Sequence, residues 1–377
     1  MQEPAFTIGI EEEYLLVDRE SRDLAPAPRP LLEQCAARAS GQQVKPEFLR
    51  AQIEIGTRIC RDIGEARASL HALRRAVIDG AAEHGLAPIA AATHPFARWA
   101  AQKHTERSRY HALSEEMQAA ARRLVICGMH VHVGVEDPEL RIDLANQFAY
   151  FLPHLLALSC SSPFWEGRET GLKSFRLTVF DALPRTGLPE QLGSFAEYER
   201  LVQLLVDAGV IDDASKIWWD LRLSARYPTL ETRIMDVCTD AEDALALAAL
   251  VCATLRMLYR LRRGNQRWRM YSRLLINENR WRAMRYSFDR GMLDLGRGRI
   301  IPFPQLLEEW LELVREDAEA LGCTAEIDHS RTILAHGTSA HRQLAVRHEA
   351  LAAGATDAEA NRTVVDHLIR ETAHGIP

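Results

Sequence analysis

Phe6-Thr7-Ile8-Gly9-Ile10-Glu11-Glu12-Glu13-Tyr14-Leu15-Leu16-Val17 alternates with the period of a β-strand. Phe6, Ile8, Ile10, Tyr14 and Leu16 share one parity and read as the core face, while Gly9, Glu11 and Glu13 share the other. Two carboxylates side by side on a rigid strand repel each other unless something positive sits between them, and a divalent cation is the natural partner. Taken alone, a Glu-x-Glu pair reads better as a solvated face. Glu12 falls on the apolar parity and receives no role.

Three further segments repeat the arrangement. In Gln52–Thr57, Ile53, Ile55 and Thr57 face one way, and Gln52, Glu54 and Gly56 face the other. Glu47 stands seven residues upstream of Glu54, in Lys45-Pro46-Glu47-Phe48-Leu49. In Cys127–Val135, the row Val131, Val133 and Val135 packs inward and leaves His130 and His132 opposite it with Gly134. A lone strand histidine is usually structural, whereas two at i and i+2 opposite a valine row more often bind a metal or phosphate. Zinc suits such a pair, but the abundance of carboxylates favours a hard ion, Mg²⁺ or Mn²⁺, with one imidazole. In Thr229–Ile234, Glu231 and Arg233 point the same way and would alone pass for an in-strand ion pair. Four strands that each turn acid, imidazole or guanidinium to one face predict one coordinated site.

The 377 residues allow a substantial core, and 47% hydrophobic with 26% charged residues is a soluble globular profile. A net charge of −6 argues against a nucleic-acid coat or a polybasic membrane anchor. Cys35, Cys60, Cys127, Cys160, Cys238, Cys252 and Cys323 are dispersed without a Cys-x-x-Cys pair, which fits reduced thiols in a reducing compartment. The opening residues lack the basic-then-apolar pattern of a signal peptide. The apolar run Ala244–Leu255 is too short to span a bilayer and reads as a buried helix. A cytoplasmic protein with neither nucleic-acid nor membrane partner is expected.

Helical patterns occupy Asp62–His84, Arg141–Ser159, Phe195–Asp207 and Ala241–Arg262, and the chain from about Met270 is helical apart from Gly296–Pro304. Strand patterns also cover Leu86–Ala92 and Lys216–Ala225. Strands mixed with helices early, and helices late, predict an α+β fold in which a largely antiparallel sheet carries a covering layer of helices. One catalytic domain over residues 1–377 is expected, sheet-rich over 1–240 and helical over 241–377. There is no GxxxxGK[ST] and no GxGxxG, so a nucleotide would lie on an open sheet surface with metal ions bridging its phosphates.

FTIGIEEEYLLVD, AQIEIGT, GMHVHVGV, PRTGLP at Pro184–Pro189, IWWDLR at Ile217–Arg222 and TLETRIMD at Thr229–Asp236 together resemble the type 2 glutamate–cysteine ligases, also described as carboxylate–amine ligases. NENRWRAMRY (Asn277–Tyr286) and HGTSAHRQL (His336–Leu344) extend the likeness over nearly the whole chain. Glu-x-Glu, GMHVH and Glu-x-Arg are also similar to sheet elements of glutamine synthetase, whose superfamily binds ATP and divalent ions on the concave face of a curved antiparallel sheet. The resemblance implies Glu11, Glu13, Glu47, Glu54, His130 and Glu231 as metal ligands, His132 beside ATP, and Arg233 on its phosphates. It implies Arg176, Arg222 and Arg285 as anchors for phosphate or substrate carboxylate, with Arg233 and Arg285 acting in catalysis. Ser287 stands where glycine is usual in this family, and His341 where an acid is more usual.

The activity implied by the resemblance is that of an ATP- and Mg²⁺- (or Mn²⁺-) dependent ligase. It would join a carboxylic acid, glutamate in the narrow form, to an amine such as cysteine through an acyl-phosphate. The resemblance also implies a homodimer or larger homo-oligomer. Another acid or amine on the same machinery is one alternative. A metal-dependent hydrolase, which would turn over without ATP and prefer Zn²⁺, is a second, and a binding protein that has lost turnover is a third.

Overall fold

The computed structural model describes residues 2–106 and 115–377. Seven strands form the main sheet: β1 (Ile8–Asp18), β2 (Gln43–Pro46), β3 (Gln52–Gly56), β4 (Leu86–Ile89), β5 (Met129–Gly134), β6 (Leu221–Leu223) and β7 (Thr229–Thr232). Their order is β6-β7-β5-β1-β3-β2, with β4 beside the second half of β1, and every pairing is antiparallel. β1 is therefore the central strand. Its residues Ile8, Ile10, Tyr14 and Leu16 are buried, as are Val131 and Val133 of β5. The expected antiparallel sheet with helices over it is what forms.

Two helices cover the apolar face. The first, Ile63–Ala82, starts at Asp62, whose side chain accepts the Glu65 amide, and buries Ala66, Leu70, Leu73, Val77 and Ala81 at three- and four-residue spacing. The second, Ala241–Arg263, is apolar all round because it is sandwiched between the sheet and the helices Phe303–Leu321 and Thr324–His336. Among the described residues it is the one helix long and apolar enough to cross a membrane, and 83% of its apolar window is buried inside the fold. Helices Arg273–Tyr286, Ser339–Ala352 and Asp357–Ala373 complete the C-terminal part; the ribbon Met292–Asp294/Arg299–Ile301 interrupts it, starting four residues before the expected break Gly296–Pro304, and a helix resumes at Phe303. All seven cysteines are buried and unpaired.

The apolar face holds one ion pair that the strand's parity hid. Glu12, wholly buried on the helix side of β1, takes Arg74 of Ile63–Ala82 in a two-pronged contact at 2.9 and 2.7 Å. Tyr14 also donates its hydroxyl to Glu12, and Arg74 spends its remaining donors on the carbonyls of Thr239 (2.7 Å) and Cys238 (2.8 Å). The pair thus ties strand, helix and the entry to Ala241–Arg263 together.

Some boundaries differ from the sequence reading. Arg141–Ser159 is not one helix but Pro138–Phe148, a 3₁₀ turn and Leu152–Ser159. Pro153 explains the break, since it lacks an amide proton and its ring occupies the space of the preceding turn. β2 went unread because its four residues are all half-buried and end in proline, which suits an edge strand without alternation.

Buried histidines tie stability to pH, and His94 is one of them. His94 accepts the amides of Phe96 (3.1 Å) and Ala97 (2.9 Å) at Nδ1, and its Nε2 donates to the Arg22 carbonyl at 2.9 Å. Burial pushes this imidazole down to about 4. Between pH 6.5 and about 4 the unfolded chain therefore binds the extra proton and the native state does not, so stability falls as pH falls through that window. The loss at the acid end should be on the order of 3 kcal/mol. His94→Asn, which keeps an acceptor for the two amides, should flatten that part of a urea-midpoint-against-pH curve; an unchanged slope would refute the assignment.

Candidate active site on the open face of the sheet

The register of the sheet assembles the site. Across β1 and β5, Glu11 pairs with His130 and Gly9 with His132; across β5 and β7, His132 pairs with Glu231. Across β1 and β3, Glu13 pairs with Glu54. Paired residues in adjacent strands share a face, so all six side chains project to the side away from the two helices.

The first group is Glu11, His132 and Glu231, each offering a ligand atom within 4.8 Å of the others. His132 Nε2 lies 3.7 Å from Glu11 Oε2 and 4.0 Å from Glu231 Oε2, is buried, and has no hydrogen-bond partner. Its Nδ1 meets the Thr229 hydroxyl at 3.1 Å, which fixes the ring with Nε2 toward the two acids. His130 Nδ1 stands 3.3 Å from Glu11 Oε2 and 4.0 Å from Glu231 Oε1. Burial and the Arg233 guanidinium push the His130 ring down to about 4, so it is neutral with a lone pair to give. An orphaned buried nitrogen facing two carboxylates fits a divalent cation. His132, expected beside the nucleotide, thus stands among the candidate ligands as well.

Glu231 is held from both sides. Arg222 grips it through Nε (3.1 Å) and Nη2 (2.9 and 2.8 Å), and Arg233 Nη1 donates to its Oε1. Burial raises the Glu231 pKa, but Arg233 and Arg222 outweigh it and keep the carboxyl below the usual range. Arg222 Nη1 is also spent, on the carbonyls of Ser215 (3.0 Å) and Ile217 (3.1 Å). With its donors engaged, Arg222 is placed to orient Glu231. Arg233 differs, because its buried Nε has no partner and its side chain lines a cavity of about 150 Å³ with Glu13, Glu47, Arg176 and Trp218.

The second group is Glu13, Glu47 and Glu54. Burial pushes Glu13 up to about 7, with the Glu54 charge adding to it against Arg176 and the Gly128 amide, which donates at 2.7 Å. Burial, then Glu13 and Glu54, drives Glu47 well above the ordinary carboxylate range. Among the described residues these three acids do not bring their ligand atoms as close together as Glu11, His132 and Glu231 do. Arg176, almost wholly buried, reaches this cavity because Gly128 has no side chain; a Cβ there would come within 2.3 Å of its guanidinium. Arg176 also donates to the carbonyls of Ile234 (3.3 Å) and Arg233 (3.2 Å). On the other side of His132 a largely apolar cavity of about 300 Å³ opens between Gly9, Thr57, Ile59, Gly134 and Tyr227.

Arg285 stands elsewhere. Its guanidinium lies over the Tyr286 ring and donates to the Gly171 carbonyl, so its contacts run to that loop and not to the sheet face. Thr229 and Gly128 escaped the sequence reading, because their roles exist only across strands.

A model of glutamate–cysteine ligase family 2 matches residues 7–367. The chain belongs to that family. In glutamate–cysteine ligase family 2 this chain is 61% identical, over 376 residues, to a protein of Rhodospirillum rubrum provisionally named glutamate–cysteine ligase 2, covering 99% of this chain and 97% of that one. A protein of the same provisional name from Paracoccus denitrificans is 55% identical over 370 residues, covering 98% of each chain. The fold is that of the crystal structure of a glutamate–cysteine ligase from Francisella tularensis in complex with AMP. That match has a TM-score of 0.68 at 13% identity and covers 100% of this chain and 91% of that one. A bifunctional glutathione synthetase from Pasteurella multocida matches with a TM-score of 0.65 at 13% identity, over 98% of this chain and 53% of that one.

The two tail motifs of this family 2 chain act as clamps. Arg280, buried in NENRWRAMRY, pairs with Asp220 (2.7 Å) and Asp181 (2.6 Å), and in HGTSAHRQL Gln343 donates to the Ser161 carbonyl at 2.9 Å. His341 supplies the capping box with Thr338 that an acid would otherwise make. Ser287 sits at φ 53°, ψ −118°, a conformation glycine adopts freely, and its hydroxyl donates to the Ala157 carbonyl. Ser287→Ala should cost about 1 kcal/mol by losing that bond while keeping the strain. Ser287→Gly should be the more stable of the two in urea unfolding, and the reverse order would contradict this assignment of the strain.

Proposed function

We propose that the chain is an ATP- and Mg²⁺- (or Mn²⁺-) dependent ligase that joins glutamate to an amine, cysteine first among them, through an acyl-phosphate. The observation that carries the reading is the convergence of Glu11, His132 and Glu231, an unpartnered imidazole between two acids, next to the three-acid group Glu13, Glu47 and Glu54. Glu11, His130, His132 and Glu231 would hold one cation, and Glu13, Glu47 and Glu54 another. Bound there, such ions would supply positive charge against the nucleotide phosphates. AMP in the complexed Francisella ligase of this fold supports a nucleotide as ligand.

Amide formation from a carboxylate and an amine is uphill in water, so the acid must be activated first. A carboxylate oxygen of glutamate attacks the γ-phosphorus, the bond to the β,γ-bridging oxygen breaks, and ADP leaves. The deprotonated amine then attacks the acyl carbon, and phosphate leaves with the C–O electrons. Arg233, with an unspent Nε, and Arg176 in the same cavity supply fixed positive charge for the transferring phosphoryl group and the substrate carboxylate. Arg222 acts one step back by keeping Glu231 ionised and aimed. Arg285, in the last turn of helix Arg273–Tyr286 and bonded to the Gly171 carbonyl, would serve as an outer anchor for substrate. Seven buried, unpaired thiols suit a reducing, cytoplasmic setting, and a homo-oligomer remains part of the proposal.

A screen of amino acids and amines with ATP and Mg²⁺, read as ADP release, tests this. A response to glutamate that needs cysteine is the expected result. Turnover of any amide without ATP, best with Zn²⁺, would overturn it in favour of a hydrolase.

A further inference from the structure

A separate cavity of about 600 Å³ lies at the edge of the sheet beside β6, walled by helix Phe195–Asp207, Arg141 and the loop Ser224–Pro228. It shares Tyr227 and Pro228 with the cavity under His132 and contains none of the acids or imidazoles of the candidate active site. Two polar groups in it lack partners. Tyr198 is only 6% exposed, and its buried hydroxyl makes no hydrogen bond. Arg141 Nε is likewise buried without a partner, while its guanidinium lies 5.7 Å over the Phe195 ring.

Unpartnered buried donors are costly and uncommon, and two in one cavity ask for an acceptor that bonds both. Arg226 lines the same cavity and adds a second cation. Of its two acids, Asp213 is already engaged with the Ser215 amide at 2.7 Å, and Glu199 lies on the exposed side of its helix. Phe195, Val202 and Tyr227 supply apolar walls.

We propose that this cavity is a ligand site for a small organic oxyanion, a carboxylate or phosphate head on an apolar body, with the head held by Arg141 and the Tyr198 hydroxyl. An occupant would touch Ser215, whose carbonyl accepts from Arg222, the residue that grips Glu231. The site is thereby next to the candidate metal cluster without belonging to it.

Titration of the full chain with phenylacetate, phenyl phosphate and benzyl alcohol, followed by calorimetry and ligand-observed NMR, tests the proposal. At least one of the two anions should bind, and whichever binds more tightly identifies the head group. Benzyl alcohol should bind at least about tenfold more weakly, and Arg141→Gln should weaken the anion at least about tenfold. Tyr198→Phe should weaken it severalfold while leaving the melting temperature unchanged or raised, because it removes a group that has no partner. No anion binding to the wild type, binding unchanged in Arg141→Gln, equal binding of benzyl alcohol, or a lowered melting temperature for Tyr198→Phe would each overturn it.

Discussion

Glu11→Gln is expected to lower metal-dependent ADP release by about 10³-fold or more while leaving the fold intact. The side chain is 28% exposed and its neighbours on the open face are His130 at 3.3 Å and His132 at 3.7 Å. Glutamine keeps the size and a hydrogen-bonding carbonyl but removes the charge that would hold a cation. The loss should therefore fall on chemistry and metal affinity and not on packing. Glu231 is a poorer target, since it is buried between Arg222 and Arg233 and its loss would strand two guanidiniums. Glu54→Gln should show the same loss through the second acid group. Near-wild-type ADP release by both variants, with Mn²⁺ binding unchanged by electron paramagnetic resonance, would exclude the metal assignment.

The largest stability effect is expected on the opposite face. Arg74→Leu should cost about 3–5 kcal/mol, measured by urea unfolding, because it leaves the Glu12 carboxylate buried and unpaired. The Cys238 and Thr239 carbonyls would lose their donor at the same time. Adding Glu12→Leu removes the stranded charge, so the double variant should be more stable than Arg74→Leu alone. It should stay below wild type, since Tyr14 and the two carbonyls remain without partners. A single variant within about 1 kcal/mol of wild type would show that the pair contributes little, as exposed pairs do.

The sequence shows much of the fold because period two is a local property. The valines of β5 and the isoleucines of β1 declare which face is buried, and by exclusion which face holds Glu11, His130 and Glu231. It does not show which strand lies beside which. Glu11 meets His130, 119 residues away, only through the β1–β5 register. The same limit hid Arg74 as the partner of Glu12, 62 residues distant, since a single acid at an apolar position looks like an exception until its counter-charge is placed. Arg222 and Arg285 carry the same kind of lesson. An arginine in a motif announces charge, but only the packed structure tells whether its donors are already spent, as those of Arg222 are. β2 was invisible because an edge strand with both faces half-wet has no alternation to read.

Every sulfhydryl of this chain sits inside the native envelope. A chromogenic disulfide reagent added to the native protein in the presence of free cysteine should therefore colour with the cysteine alone. Because ligation through the amine leaves the sulfhydryl of cysteine free, the total thiol count of a reaction mixture should stay constant, against a silent protein background. Under denaturing conditions the same reagent becomes a counter of opened molecules, and slow colour development in dilute urea would time the rarest excursions of the core.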